Sequence, residues 1–278
     1  MWAWFDRLPR WARRSNPIVQ LHLRARRGGD SVNMQAVVQL YSVQVILLLL
    51  SIPVPSLYNV GSAPATSLLV VLAVAMFTYA HTILAWLVAP FGLLLYAYAL
   101  AAIGQSAVKH IFDERQGQTL PLLRTTPPPL GELLLSKVAA AIWQQSGRLA
   151  HALLITAAFA LPPTALEYET LYAPEEPTYL LRLCMIAGLT ASLLRLALEP
   201  LMIGAVGILA GSLATVRAAG TIATTVFVGA YFLLLNLPRL TPLSLPLRLL
   251  METALPILLP LAITWIALTA AGYALSRD

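Results

Sequence analysis

Arg195 and Glu199 stand four residues apart inside an otherwise apolar block. On a helix that spacing stacks them on one face, where opposite charges can pair. An ionisable group within a bilayer is costly, and it marks a structural pair or a polar path for a molecule that crosses. Both readings stand for Arg195 and Glu199. Arg148 and His151, beside Gln144 and Gln145, form a second polar group in an apolar stretch. They fit either an aqueous inner vestibule or an interfacial helix lying flat. Arg182 is placed to snorkel toward the outer surface. His81, alone among apolar residues, is read as an interhelical hydrogen-bond partner through Thr78 or Thr82 rather than as a metal ligand. There is no H-E-x-x-H pair, no paired-carboxylate site and no nucleophile constellation. Cys184 is the sole cysteine, which excludes a disulfide framework and a thiolate metal site. A G-x-x-x-x-G-K-[ST] phosphate loop is absent. The chain is therefore read as no enzyme, with no cofactor or metal of its own.

The segment Asp113–Lys137, DERQGQTLPLLRTTPPPLGELLLSK, reads differently. Gly117 can end the preceding helix. Thr119 is a candidate N-cap, with Pro121 in the first turn, where its missing N–H is not needed. Leu120, Leu122 and Leu123 give the short helix an apolar side. Pro127, Pro128 and Pro129 then stop it and set a new start near Leu130. A short capped helix with exposed leucines, held outside the bilayer, is a docking element.

The elements that must carry it are membrane spans. The chain is 59 % hydrophobic and only 11 % charged, against about 25 % charged in soluble proteins. Several apolar runs reach the roughly 20 residues a span needs. Residues 1–33 form a basic amphipathic segment with arginines interleaved among Trp2, Trp4, Phe5, Leu8 and Trp11. That mixture suits the headgroup layer over anionic lipid, on the cytoplasmic side. Residues 34–278 form the transmembrane domain, with the cytoplasmic coupling segment at 109–137. The spacing predicts spans at Met34–Ile52, Thr66–Val108, Val138–Leu161, Tyr179–Val216, Thr221–Leu237 and Ala254–Leu275. Thr66–Val108 is read as one crossing, an outer or re-entrant helix broken at Pro90 before the true span; a straight tilted helix is one alternative, and two separate spans, which would put the docking segment outside, another. Lys109, Arg115, Arg124, Lys137 and Arg148 put its far end inside. The outer loop up to Thr178 carries Glu167, Glu169, Glu175 and Glu176 and no lysine or arginine. Arg239 and Arg248 fall in the last outer loop, against the positive-inside trend. The fold class is thus an all-α polytopic membrane protein of about six spans, both termini cytoplasmic. The net charge of +6 follows from this topology, and no nucleic-acid partner is expected. Gly207 and Gly211, with Gly204 nearby, offer a face for close helix packing.

The residues Glu114, Arg115, Thr119, Leu120, Leu123, Thr126 and Pro127, followed by Lys137, resemble the signature region of ABC-2-type transporter permeases, E-R-x-x-x-T-L-x-x-L-L-x-T-P with a glycine-lysine pair beyond. Ser136 stands where that glycine is usual, and Pro121 where an acidic or polar residue is. Asn16-Pro17-Ile18-Val19 with Leu21–Arg27 is similar to the N-P-x-x entrance of one branch. Gly207–Ser212 with Arg217-Ala218-Ala219 is similar to the family's turn between spans four and five. The resemblance implies a permease subunit in the plasma (inner) membrane of a prokaryote, most simply an exporter. Its coupling segment, including Leu122, would dock on a separate ABC ATPase that holds ATP and Mg. A second permease chain, identical or related, would complete the pore. Glu114 and Arg115 would contact the ATPase; Lys137 would either do so or snorkel. The three consecutive prolines and the overlong blocks motivate an alternative of another class, a permease-derived non-transporting scaffold of a different membrane complex.

Overall fold

The computed structural model describes residues 8–24, 65–117, 129–153, 155, 178–236 and 244–277. The predicted span Met34–Ile52, the coupling residues Thr119, Leu120, Leu122, Leu123, Thr126 and Pro127, and the acidic loop lie outside them, as do the side chains of His81 and Arg182. Among the described residues every regular element is helical. They are α1 (Pro17–Arg24), α2 (Ala65–Gln116), α3 (Leu130–Gln144), α4 (Thr178–Leu213), α5 (Arg217–Asn236), α6 (Leu245–Leu249) and α7 (Leu255–Arg277). A 3-10 turn, Arg10–Ala12, precedes α1. Helix is what apolar sequence in lipid must form, because it satisfies its own backbone polar groups. Among the described residues, four stretches are long and apolar enough to cross a membrane: Pro90–Gln116, Ile186–Leu213, Arg217–Asn236 and Pro246–Arg277.

Three predicted boundaries are corrected. The expected break at Pro90 is not an interruption, since α2 runs continuously through it to Gln116. Gly117 follows, donating its N–H to the Asp113 carbonyl at 2.9 Å, and helix resumes at Leu130 after Pro129. The third predicted span is interrupted at Gln145, whose N–H turns back to the Ile142 carbonyl. The last helix starts well before Ala254. A π-turn, Leu250–Ala254, joins α6 to α7, with the Leu255 N–H bonded to the Leu250 carbonyl five residues back. Pro256 explains the widened turn, since it has no N–H for the Glu252 carbonyl four residues before it. Arg248 therefore lies on a helix rather than in a loop. It is buried and bonded to Glu252 at 2.9 Å, which makes the charge tolerable there.

The chain divides into two compact units. One holds 32–96 and 150–185, from which α2 and α4 contribute their N-terminal parts. The other holds 1–31, 97–149 and 186–278, and everything below lies within it. Its centre is a seam of small residues. A Cβ on Gly207 would sit 2.5 Å from the Gly104 carbonyl oxygen and 2.9 Å from the Ala107 Cβ; one on Gly211 would sit 2.9 Å from the Val108 carbonyl oxygen. Gly104 meets Gly207 and Val108 meets Gly211, so the numbers advance together and α2 and α4 run parallel. Gly104 meets Thr224 and Val108 meets Gly220, so α5 runs antiparallel to α2. The glycine face expected from sequence is thus occupied within the chain.

Asn16 caps α1, its Oδ1 accepting the Ile18 N–H at 2.9 Å, with Pro17 at the first helical position. Part of the apolar side of the described segment packs on protein, while Leu21 stays exposed. Val19 is fully buried against Ala139 and Ala140 of α3, with Trp11, Leu23 and Trp143 packed around them.

Candidate functional site

The base of the coupling segment is a buried polar knot. Glu114, in the last turn of α2, and Lys137, two turns into α3, form an ion pair. Lys137 is fully buried, and Glu114 is 12 % exposed. Both were expected to face an ATPase or the interface, and here they face each other. His22 of α1 is the third member, its Nε2 lying 3.4 Å from the Glu114 carboxylate. The His22 ring stacks on that of His110 at 4.1 Å between centroids. Four backbone and side-chain bonds fix the arrangement. Gln144 donates to the His22 carbonyl at 2.9 Å, and the Trp143 indole donates to the Ala12 carbonyl at 3.0 Å. Asn16 donates to the Ser136 hydroxyl at 3.3 Å, which in turn donates to the Glu132 carbonyl at 2.8 Å. The two helices that flank residues 118–128 are thereby tied to one another and to the N-terminal segment.

Arg115 points elsewhere. Its guanidinium donates to the Ser212 carbonyl at 2.8 Å and reaches the Ala214 carbonyl at 3.5 Å. These acceptors lie at the C-terminal end of α4, where carbonyls lack intrahelical donors and the helix dipole favours a cation.

Deeper in the apolar region, Arg195 and Glu199 pair along α4 as their spacing predicts. Glu199 is fully buried and Arg195 nearly so. The Arg195 guanidinium also lies 5.9 Å from the centre of the Phe232 ring on α5, and buried Tyr231 adjoins the pair. Arg148 is not brought to this group. It is exposed, contacts Gln145 Oε1 at 3.4 Å and lies over the Tyr98 ring at 5.7 Å. Gln145 in turn donates to the Ser106 hydroxyl of α2 at 2.9 Å.

Sequence reasoning missed His22, His110 and Tyr231, and noted Ser136 only as a departure from the motif. The Asn16-Pro17 pair carried a legible helix-start signal for α1. Nothing in the sequence placed His22 beside Glu114, since that contact spans most of the first half of the chain. Among the described residues no group of three histidines, cysteines or acids is arranged to hold a metal ion; His22 and His110 stack face to face rather than converge. No protein-family profile matches the chain, nor does any characterised protein or any solved structure.

Proposed function

We propose that this chain is the membrane-spanning subunit of a transporter whose energy comes from a separate ATPase. More particularly, the order of its motifs supports an ABC-2-type permease, working as an exporter with a second permease chain. The reading places six spans in the plasma membrane of a prokaryote, both termini and residues 109–137 in the cytoplasm. The parallel course of α2 and α4 supports this, because it puts the ends at Gln116 and Leu213 on one side. Leu130 lies 3.9 Å from where a Cβ on Gly272 would stand, which supports the same side for the end of α7.

One observation carries the mechanism: the Glu114–Lys137 pair, which joins the two ends of the coupling segment. A docking helix on loose tethers would absorb a push from its partner. A docking helix whose two stems are pinned together passes that push to α2, α3 and α1 as a unit. Closure of the ATPase, which would hold the ATP and Mg, then biases the spans between two conformations. The Arg195–Glu199 pair, within the apolar block, is the group that such a shift would expose or bury.

The test is purification of the tagged chain from native membranes in mild detergent, with identification of what comes with it. The expected companion is an ABC ATPase, lost on Leu120→Asp with Leu123→Asp while the chain stays in the membrane. Retention of the ATPase by that variant would overturn the docking assignment. A stable partner of another kind, with no ATPase, would favour the second reading, a permease-derived scaffold, which the Pro127–Pro129 run in the docking segment favours.

A further inference from the structure

Arg115 sits two residues before Gly117, at the root of the coupling segment, yet it bonds to the far end of a different span. The contact lies beyond a line of close approaches between the two helices. Along α2 the contacts fall at Gly104, Val108 and Arg115; along α4 they fall at Gly207, Gly211 and then Ser212 and Ala214. The first two steps are backbone against backbone and allow no side chain between. The third is a guanidinium spanning two carbonyls, one on each side of the α4 terminus. Both bonds leave one nitrogen, Nη1, which a lysine side chain, one bond shorter, falls short of. Just beyond, Thr215 and Val216 form the exposed turn that leads into α5.

We infer that Arg115 is a positioning residue that couples the docking segment to the α4–α5 turn. The inference rests on the permease reading and deepens it. Glu114 and Arg115 are adjacent but divide the work: Glu114 holds the stems of the coupling segment together, and Arg115 carries its displacement to α4, the helix bearing Arg195 and Glu199. The role assigned to Arg115 is transmission of movement, not contact with substrate or ATPase. Its contribution is the direction in which movement travels.

The experiment uses the complex of the chain with its co-purified ATPase in lipid nanodiscs. Cys184→Ala removes the native thiol, and Thr215→Cys places a reporter on the turn. The rate of labelling by a membrane-impermeant maleimide is measured with and without ATP and vanadate. With Arg115 present, trapping the nucleotide changes the rate severalfold. Arg115→Gln abolishes that change while the ATPase still co-purifies at the original ratio. Arg115→Lys keeps part of it, at most half; it also carries the test alone if the glutamine variant does not accumulate. An undiminished response in either variant overturns the inference, as does an unresponsive Thr215→Cys chain with the ATPase bound. Loss of the ATPase from Arg115→Gln also overturns it, by making Arg115 a docking contact. Failure of the unsubstituted chain to bring down any ATPase refutes the permease reading itself, and the inference falls with it.

Discussion

Removing the charge of Glu114 should cost more than removing that of its partner. Lys137 is fully buried, and its ammonium makes no hydrogen bond among the described residues apart from the ion pair with Glu114. Glu114→Gln therefore strands a buried cation, a loss of about 3–5 kcal/mol. Lys137→Met leaves Glu114 with His22 at 3.4 Å and some access to solvent, so the cost falls to about 3 kcal/mol or less. With both substitutions no charge is left unpaired, and replacement of a buried pair by uncharged groups is often nearly neutral. The double variant should thus be more stable than Glu114→Gln alone, with a coupling energy of about 3 kcal/mol or more. Unfolding in mixed micelles of mild detergent and SDS, followed by tryptophan fluorescence, measures all four chains. A Glu114→Gln chain within about 1 kcal/mol of the parent, or a double variant whose loss equals the sum of the singles, would refute the pairing argument.

Two further outcomes follow from the packing. Gly207→Ala should cost about 1–3 kcal/mol, because its Cβ would lie 2.5 Å from a backbone oxygen that cannot give way. Gly229→Ala has nothing within 4 Å of its Cβ and should be neutral or gain about 0.5–1 kcal/mol from helix propensity; the same micelle titration compares the two. Val19→Asp puts a charge into a fully buried site against Ala139 and Ala140. It should release the segment 8–24, seen as faster tryptic cleavage after Arg14 and Arg24 with the rest of the chain intact; unchanged cleavage would contradict the observed docking.

The helical class was legible because it rests on composition and run length, which lipid converts into structure with few alternatives. The Arg195–Glu199 pair was legible for a similar reason: both partners lie on one helix, so spacing alone decides. The stop at Gly117 and the restart at Leu130 were readable from turn chemistry. The corrections share a different cause. Pro90 stays within α2, and Arg248 stays on a helix where Glu252 neutralises it; hydropathy alone decides neither. The fate of Glu114, Lys137 and the glycines depended on tertiary contacts. Glu114 and Lys137 make contacts within the chain, and the spacing of these residues was compatible with either an internal or an external partner.

The seam between α2 and α4 has a consequence for temperature. Contacts that rest on expelling water weaken on cooling. In lipid there is no such term between helices, and close approach of backbones is what holds them. The Gly207 and Gly211 Cα hydrogens face the carbonyl oxygens of Gly104 and Val108, an arrangement suited to weak C–H···O bonds. Attraction of this kind is enthalpic and does not fade in the cold. The lipid around the seam will stiffen as the temperature falls, but the join between these two helices should hold.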